Sequence, residues 1–97
     1  MSHSLSLRPR ALAELQAARN GYDLVGHGNS FLDELESVLD AIQAMPHRFP
    51  IVHGTIHRAL LRRYPFAVFF RIRPNTSHVV VLAVFPQRGN HARWPKR

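Results

Sequence analysis

Pro46 divides this sequence of 97 residues into two stretches with different hydrophobic periods. A chain laid out that way folds as α+β, with its helices and most of its strands segregated along the sequence. Before Pro46 the apolar residues recur at helical steps. Ala11, Leu12, Leu15, Ala18 and Tyr22 share one side of a helix over about 9–20. Pro9 stands at its first position, where a missing N–H costs nothing. Asn20-Gly21 and Gly26-His27-Gly28 read as breakers around a loop. Phe31, Leu35, Val38, Ile42 and Met45 then form the stripe of a second helix, flanked by Leu32 and Leu39. Ser30 is its expected cap, with Asp33 three residues on as in a loose capping box.

After Pro46 the apolar spacing shortens to alternation. Residues 47–55, with Pro50 and Gly54, read as an irregular connection. Residues 56–62 read as a strand, Tyr64-Pro65 as a tight turn, and 66–73 as the next strand. Pro74-Asn75-Thr76-Ser77 is turn chemistry. Residues 78–85 are apolar on both faces, as a central strand is. Residues 4–8, Ser-Leu-Ser-Leu-Arg, alternate as a short edge-like strand would. The expected order is β-α-α-β-β-β, with two N-terminal helices packed on one face of an antiparallel sheet. Residues 1–97 are read as a single domain, with a basic tail over 86–97.

Charge is distributed as unevenly as the periodicity. All six acids (Glu14, Asp23, Asp33, Glu34, Glu36 and Asp40) precede residue 41, giving residues 1–46 a net charge of −3. Residues 47–97 carry nine arginines, Lys96 and no acid, for a net charge of +10. Such a half repels itself on folding unless a polyanion or an acidic protein meets it. Arginine's planar fork suits phosphate and carboxylate better than the point charge of lysine.

Alternation also assigns faces. In 66–73, Phe66, Val68, Phe70 and Ile72 share the face expected under the helices, leaving Ala67, Phe69, Arg71 and Arg73 on the other. Arg58 and Arg62 are expected on that same open side. The anion- or target-binding set is therefore Arg58, Arg62, Arg71 and Arg73, joined by Arg88 and Trp94 from the tail. Phe69 among these arginines offers a base-stacking ring. Trp94 is either that kind of platform or a hydrophobic anchor.

Several chemistries are excluded by what the chain lacks. With no cysteine there are no disulfides, thiolate catalysts or cysteine zinc sites. His53 and His57, on extended chain, stand roughly 13 Å apart, too far to share a metal. There is no Gly-x-Gly-x-x-Gly, P-loop or Gly-x-Ser-x-Gly, so neither a cofactor nor a metal is expected. The longest apolar run, Val79 to Phe85, is seven residues, against the ~20 that a membrane helix needs. The opening Met1-Ser2-His3-Ser4 lacks the layout of a secretory signal, so a cytoplasmic location is expected. A metal-free endoribonuclease would need cations and proton donors around a phosphate. Arg62, Arg71 and Arg88 are the candidate cations, and His91, His57 or Tyr64 the candidate proton carriers.

The run Arg58-Ala59-Leu60-Leu61-Arg62-Arg63-Tyr64-Pro65-Phe66-Ala67-Val68-Phe69-Phe70-Arg71-Ile72 resembles the hairpin of the ParE/RelE toxin superfamily. So does Val79-Val80-Val81-Leu82-Ala83-Val84-Phe85 followed by Arg88 and Trp94. Phe31-Leu32-Asp33-Glu34-Leu35-Glu36 is similar to the start of that family's second helix, and Pro9-Arg10-Ala11 to its opening. The resemblance spans about residues 5–94 and implies a toxin of a bacterial type II toxin–antitoxin module, of the kind described as plasmid stabilisation proteins. It implies a cognate antitoxin with an acidic or disordered segment, and either DNA gyrase or the ribosome and its mRNA as target. RelE-like nucleases carry a histidine or tyrosine just after the last strand; Pro86 stands there here, with Gln87 next. The ParE-like reading, growth inhibition by binding gyrase, is therefore favoured. A ribosome-dependent mRNA endonuclease and an inactive nucleic-acid- or protein-binding module stay open beside it.

Overall fold

A computed structural model describes residues 3–87. The elements are β1 (Ser4–Leu7), α1 (Pro9–Asp23), α2 (Gly28–Ala44), a 3-10 turn (Pro46–Arg48), β2 (Ile51–His53), β3 (Ile56–Leu60), β4 (Phe66–Ile72) and β5 (His78–Pro86). The sheet order is β1-β5-β4-β3-β2. Both helices lie on one face of this sheet, as the two apolar helix stripes require.

Three expectations need correction. The sheet is mixed rather than antiparallel, because β1 runs parallel to β5, from Ser4 opposite His78 to Leu7 opposite Val81. The chain leaves β1 through the helical hairpin to the far edge of the sheet and comes back strand by strand, so β5 arrives beside β1 in the same direction. Residues 47–55 are not irregular throughout: β2 pairs antiparallel with β3, Ile51 opposite His57 and His53 opposite Ile56. Gly54 adopts φ +55°, which closes that tight connection, and Pro50 sits just outside the ladder. Finally, α1 does not stop at Asn20-Gly21 but runs to Asp23. The extra turn places Tyr22 against Phe31 at 5.1 Å and Tyr64 at 4.8 Å, and this packing overrides the local breaker. The helix ends where Gly26 takes φ +82°, with His27 N–H donating to Tyr22 O and Gly26 N–H to Asp23 O.

The core lies between α2 and the sheet. Phe31, Leu35 and Ile42 of α2 and Ala11 of α1 bury against Ala59, Val68, Phe70, Val79, Val81 and Val84. Burying each large side chain there contributes about 1.5–3 kcal/mol. Phe66 and Ile72 pack at its margin, so the face assigned to the helices in 66–73 is the observed one. Of the second stripe, Met45 falls outside and is exposed. Ser30 is not the cap; α2 begins at Gly28 behind His27, and the Ser30 hydroxyl accepts a hydrogen bond from Arg63 instead.

β5 carries one residue more than β4 opposite it. Phe69 faces Ala83 and Phe70 faces Val81, so Leu82 is the inserted residue of a bulge. Among the described residues, no strand lies beside the outer edge of β5 beyond Leu7, and Glu14 of α1 accepts the Val84 N–H at 2.8 Å. No helix of the described residues is long and apolar enough to cross a membrane.

Candidate anion-binding surface

Strand register decides which arginines meet. Arg58 lies opposite Phe69, Arg71 opposite Val80, and Arg73 N–H donates to His78 O at 2.9 Å. Leu5 and Leu7 pack into the helix-side core, so Ser4 and Ser6 point to the opposite face with His78. That face thus carries Arg58 on β3, Arg71 on β4 and, just past β4, Arg73, with His78 on β5. Arg58 and Arg71 are diagonal neighbours, about 7–8 Å apart along such a ladder. His78 is fixed by Ser4 Oγ at 2.6 Å from Nδ1 and Ser6 Oγ at 2.8 Å from Nε2.

No carboxylate reaches this face among the described residues. The ion pairs are Arg10–Glu14, Arg19–Asp23 and Arg63–Glu34, which leave Arg58, Arg71 and Arg73 without a carboxylate partner. Arg58 Nε is buried and makes no hydrogen bond. A guanidinium in that state favours an incoming oxyanion. Phe69 does not offer a free ring: it is 1% exposed and packs edge-on to Phe85 at 5.7 Å. Phe85 in turn lies under the Arg10 guanidinium, 4.7 Å from its centroid.

Arg62 is not on this face. β3 ends at Leu60, so the alternation that grouped Arg62 with Arg58 no longer applies. Arg62 sits in the β3–β4 turn and lines a groove of about 620 Å³ between α2 and the end of β3. The turn is held from two sides. Glu34 of α2 accepts the Arg62 N–H and, at 3.1 Å, the Arg63 N–H, and pairs with Arg63 Nε at 3.6 Å. Gln87 Nε2 donates to Leu61 O and Phe66 O at 3.0 and 2.9 Å, and Gln87 N–H to Pro65 O.

Tyr64 belongs to the helix side. Its ring packs edge-on to Tyr22 and, at 5.5 Å, to Phe31. Burial, and then the neighbouring Tyr64, hold the Tyr22 hydroxyl above the usual tyrosine pKa. His57 is buried too, stacked on Phe70 at 5.0 Å, with Nδ1 donating to Phe49 O at 2.8 Å. The carbonyl can only accept, so the proton on Nδ1 serves packing. The structure therefore brings Arg58, Arg71 and Arg73 together and keeps Arg62, Tyr64 and His57 on other surfaces. Arg88, His91 and Trp94 lie outside the described residues.

Sequence reasoning missed His78 and Glu34. His78 is recoverable from its alternation with Val80. Glu34 reads as one acid on a solvated helix face until the turn it holds is seen.

No protein-family model matches the sequence, and no curated protein matches it. Solved structures do. A chain of the chromosomal ParDE TA system from P. aeruginosa superposes with a TM-score of 0.72 at 19% identity, covering 88% of this chain and 96% of that one. The isolated E. coli RelE toxin superposes at 0.68 and 15% identity, covering 94% of this chain and 90% of that one. A chain of the RelBE2 toxin–antitoxin complex from Mycobacterium tuberculosis superposes at 0.57 and 16% identity, covering 89% and 99%.

Proposed function

From a chain with the fold of the ParE and RelE toxins, we propose the toxin half of a bacterial type II toxin–antitoxin pair, acting in the cytoplasm and neutralised by a cognate antitoxin with an acidic segment. Its action is growth arrest through binding an essential target, with DNA gyrase favoured over the ribosome. One observation carries the preference for binding over cleavage. Tyr64, the candidate proton carrier among the described residues of the turn, packs with Tyr22 and Phe31 on the helix side, while Arg71 points to the opposite face. The imidazole on the arginine face, His78, has both ring nitrogens engaged by the Ser4 and Ser6 hydroxyls, an arrangement that suits gripping an anion better than shuttling protons.

The decisive assay is gyrase supercoiling with purified protein. Trapped cleavage complexes are expected, and Arg71→Ala should reduce them about tenfold through loss of a charge-assisted contact. Unaffected supercoiling at saturating protein would remove gyrase as the target. The likeness to the RelE toxin keeps one second reading in play. Under it, mRNA would be cut in a ribosome-containing assay, and Arg71→Ala would lower the cutting. If expression leaves growth unchanged, both toxin readings fail and a plain binding module remains.

A further inference from the structure

Two hydroxyls and one imidazole form a closed clasp across the β1–β5 pairing. Ser4 Oγ lies 2.6 Å from His78 Nδ1 and Ser6 Oγ 2.8 Å from Nε2, so both ring nitrogens are engaged. What the clasp shows to its surroundings depends on a single proton. A neutral imidazole has one N–H and one bare nitrogen. One serine then spends its hydroxyl hydrogen on the bare nitrogen, while the other accepts from the N–H and keeps its own hydrogen free. An imidazolium donates from both nitrogens, so both serines accept and both hydroxyl hydrogens turn outward. Protonation thus frees a second outward donor and adds a positive charge.

These donors open onto the arginine face. Ser6 lies opposite Val80, which lies opposite Arg71; Ser4 lies opposite His78, whose carbonyl accepts the Arg73 N–H. Two strand spacings, about 10 Å, separate the serines of β1 from β4, a gap that an extended arginine side chain and one anion fill together. Val80, 4% exposed, floors that gap. Among the described residues, the remaining charged side chain at the ends of these strands is Arg8, exposed just past β1. The Thr76 hydroxyl, which accepts the His78 N–H, is neutral. The helices lie behind the sheet, and their Glu14 is held by Val84 N–H and Arg10, roughly 20 Å along β5 from His78. We propose that Ser4, Ser6 and His78 form, with Arg71 and Arg73, a phosphate-binding subsite that takes up a proton together with its ligand. A carboxylate has two oxygens in one plane, which a single guanidinium fork already occupies. A phosphate carries oxygens in several directions, so one group meets a guanidinium and the hydroxyls at once. The subsite extends the Arg58–Arg71–Arg73 face onto β1 and stands independently of the toxin reading.

The test uses the full chain and a single-stranded oligothymidylate, whose diester phosphates keep their charge throughout the range in which histidine titrates. Affinity is expected to fall about tenfold between about pH 5.5 and about pH 8, as an imidazole loses its charge there. Calorimetry in buffers of different ionisation enthalpy should show proton uptake on binding. His78→Gln, whose amide can still bond a hydroxyl, should reduce that fall to about twofold and cut the proton uptake with it. His53→Gln, on exposed β2, should keep the wild-type profile. Ser4→Ala with Ser6→Ala should weaken binding about tenfold at about pH 5.5. Should β1 loosen in that variant, the His78→Gln profile still decides. Thymidine monophosphate and the oligothymidylate, compared at one pH, distinguish a free phosphate from a strand, and His78-dependent binding of either upholds the subsite. No binding of either probe, a wild-type profile or undiminished proton uptake in His78→Gln, or polyglutamate bound with the same His78-dependent profile would each overturn it. Growth arrest plays no part in these readings, so the subsite and the toxin proposal fail separately.

Discussion

Glu34 holds three groups with one carboxylate: the Arg62 and Arg63 backbone N–H groups and the Arg63 guanidinium. Its side chain is only 14% exposed, while the Arg63 side chain that it meets is 68% exposed. Glu34→Ala should cost about 1–2 kcal/mol, since it leaves two amide donors of the turn without their acceptor. Urea denaturation checks this, with Glu36→Ala, on the exposed side of α2, as a comparison expected within about 0.5 kcal/mol of the parent. Equal midpoints for the two variants would mean that the β3–β4 turn supports itself. Gln87 does for the carbonyls of that turn what Glu34 does for its amides. Arg62 and Arg63 are thus presented on a braced backbone, which lowers the ordering cost of any partner they meet.

At the scale of elements, α2, β3, β4 and β5 were legible because each buries a patterned face, and burial is what periodicity records. β2 was not: its three residues are exposed, so no alternation marks them. The parallel pairing of β1 is a long-range choice that four residues cannot encode. The Leu82 bulge was hidden because β5 is apolar throughout, so an added residue leaves no break in the pattern. Arg58, Arg71 and Arg73 were placed correctly on one face by alternation, and Arg62 was misplaced because the strand stops two residues before it. The end of α1 shows a local rule overridden: packing of Tyr22 outweighed Asn20-Gly21, and the true stop came at Gly26. Open space surrounds Gly26, so Gly26→Ala meets no clash and its cost is backbone strain at φ +82° alone. We expect a loss of about 1 kcal/mol, read as a lower Tm with an unchanged m-value in urea.

For the whole molecule, the ion pairs among the described residues leave the two halves mostly unjoined. Glu14 pairs with Arg10 and Asp23 with Arg19, and of the described pairs only Glu34 with Arg63 crosses Pro46. Of the described arginines after Pro46, only Arg63 has an ion-pair partner. Sodium chloride raised from about 50 mM to 500 mM should therefore raise the Tm while weakening target binding, because screening relieves the repulsion and the attraction together. Calorimetry across that range checks the first effect, and a Tm that falls would show that internal ion pairs outweigh the repulsion.

The position of β5 also sets a schedule for synthesis. Among the described residues, the earliest strand, β1, neighbours only the latest one, so a ribosome must deliver nearly every described residue before the sheet can close. Until that moment the arginine-bearing hairpin has no finished platform, so the proposed target-binding face does not exist on a partial chain. A partner waiting at the tunnel exit would meet it first.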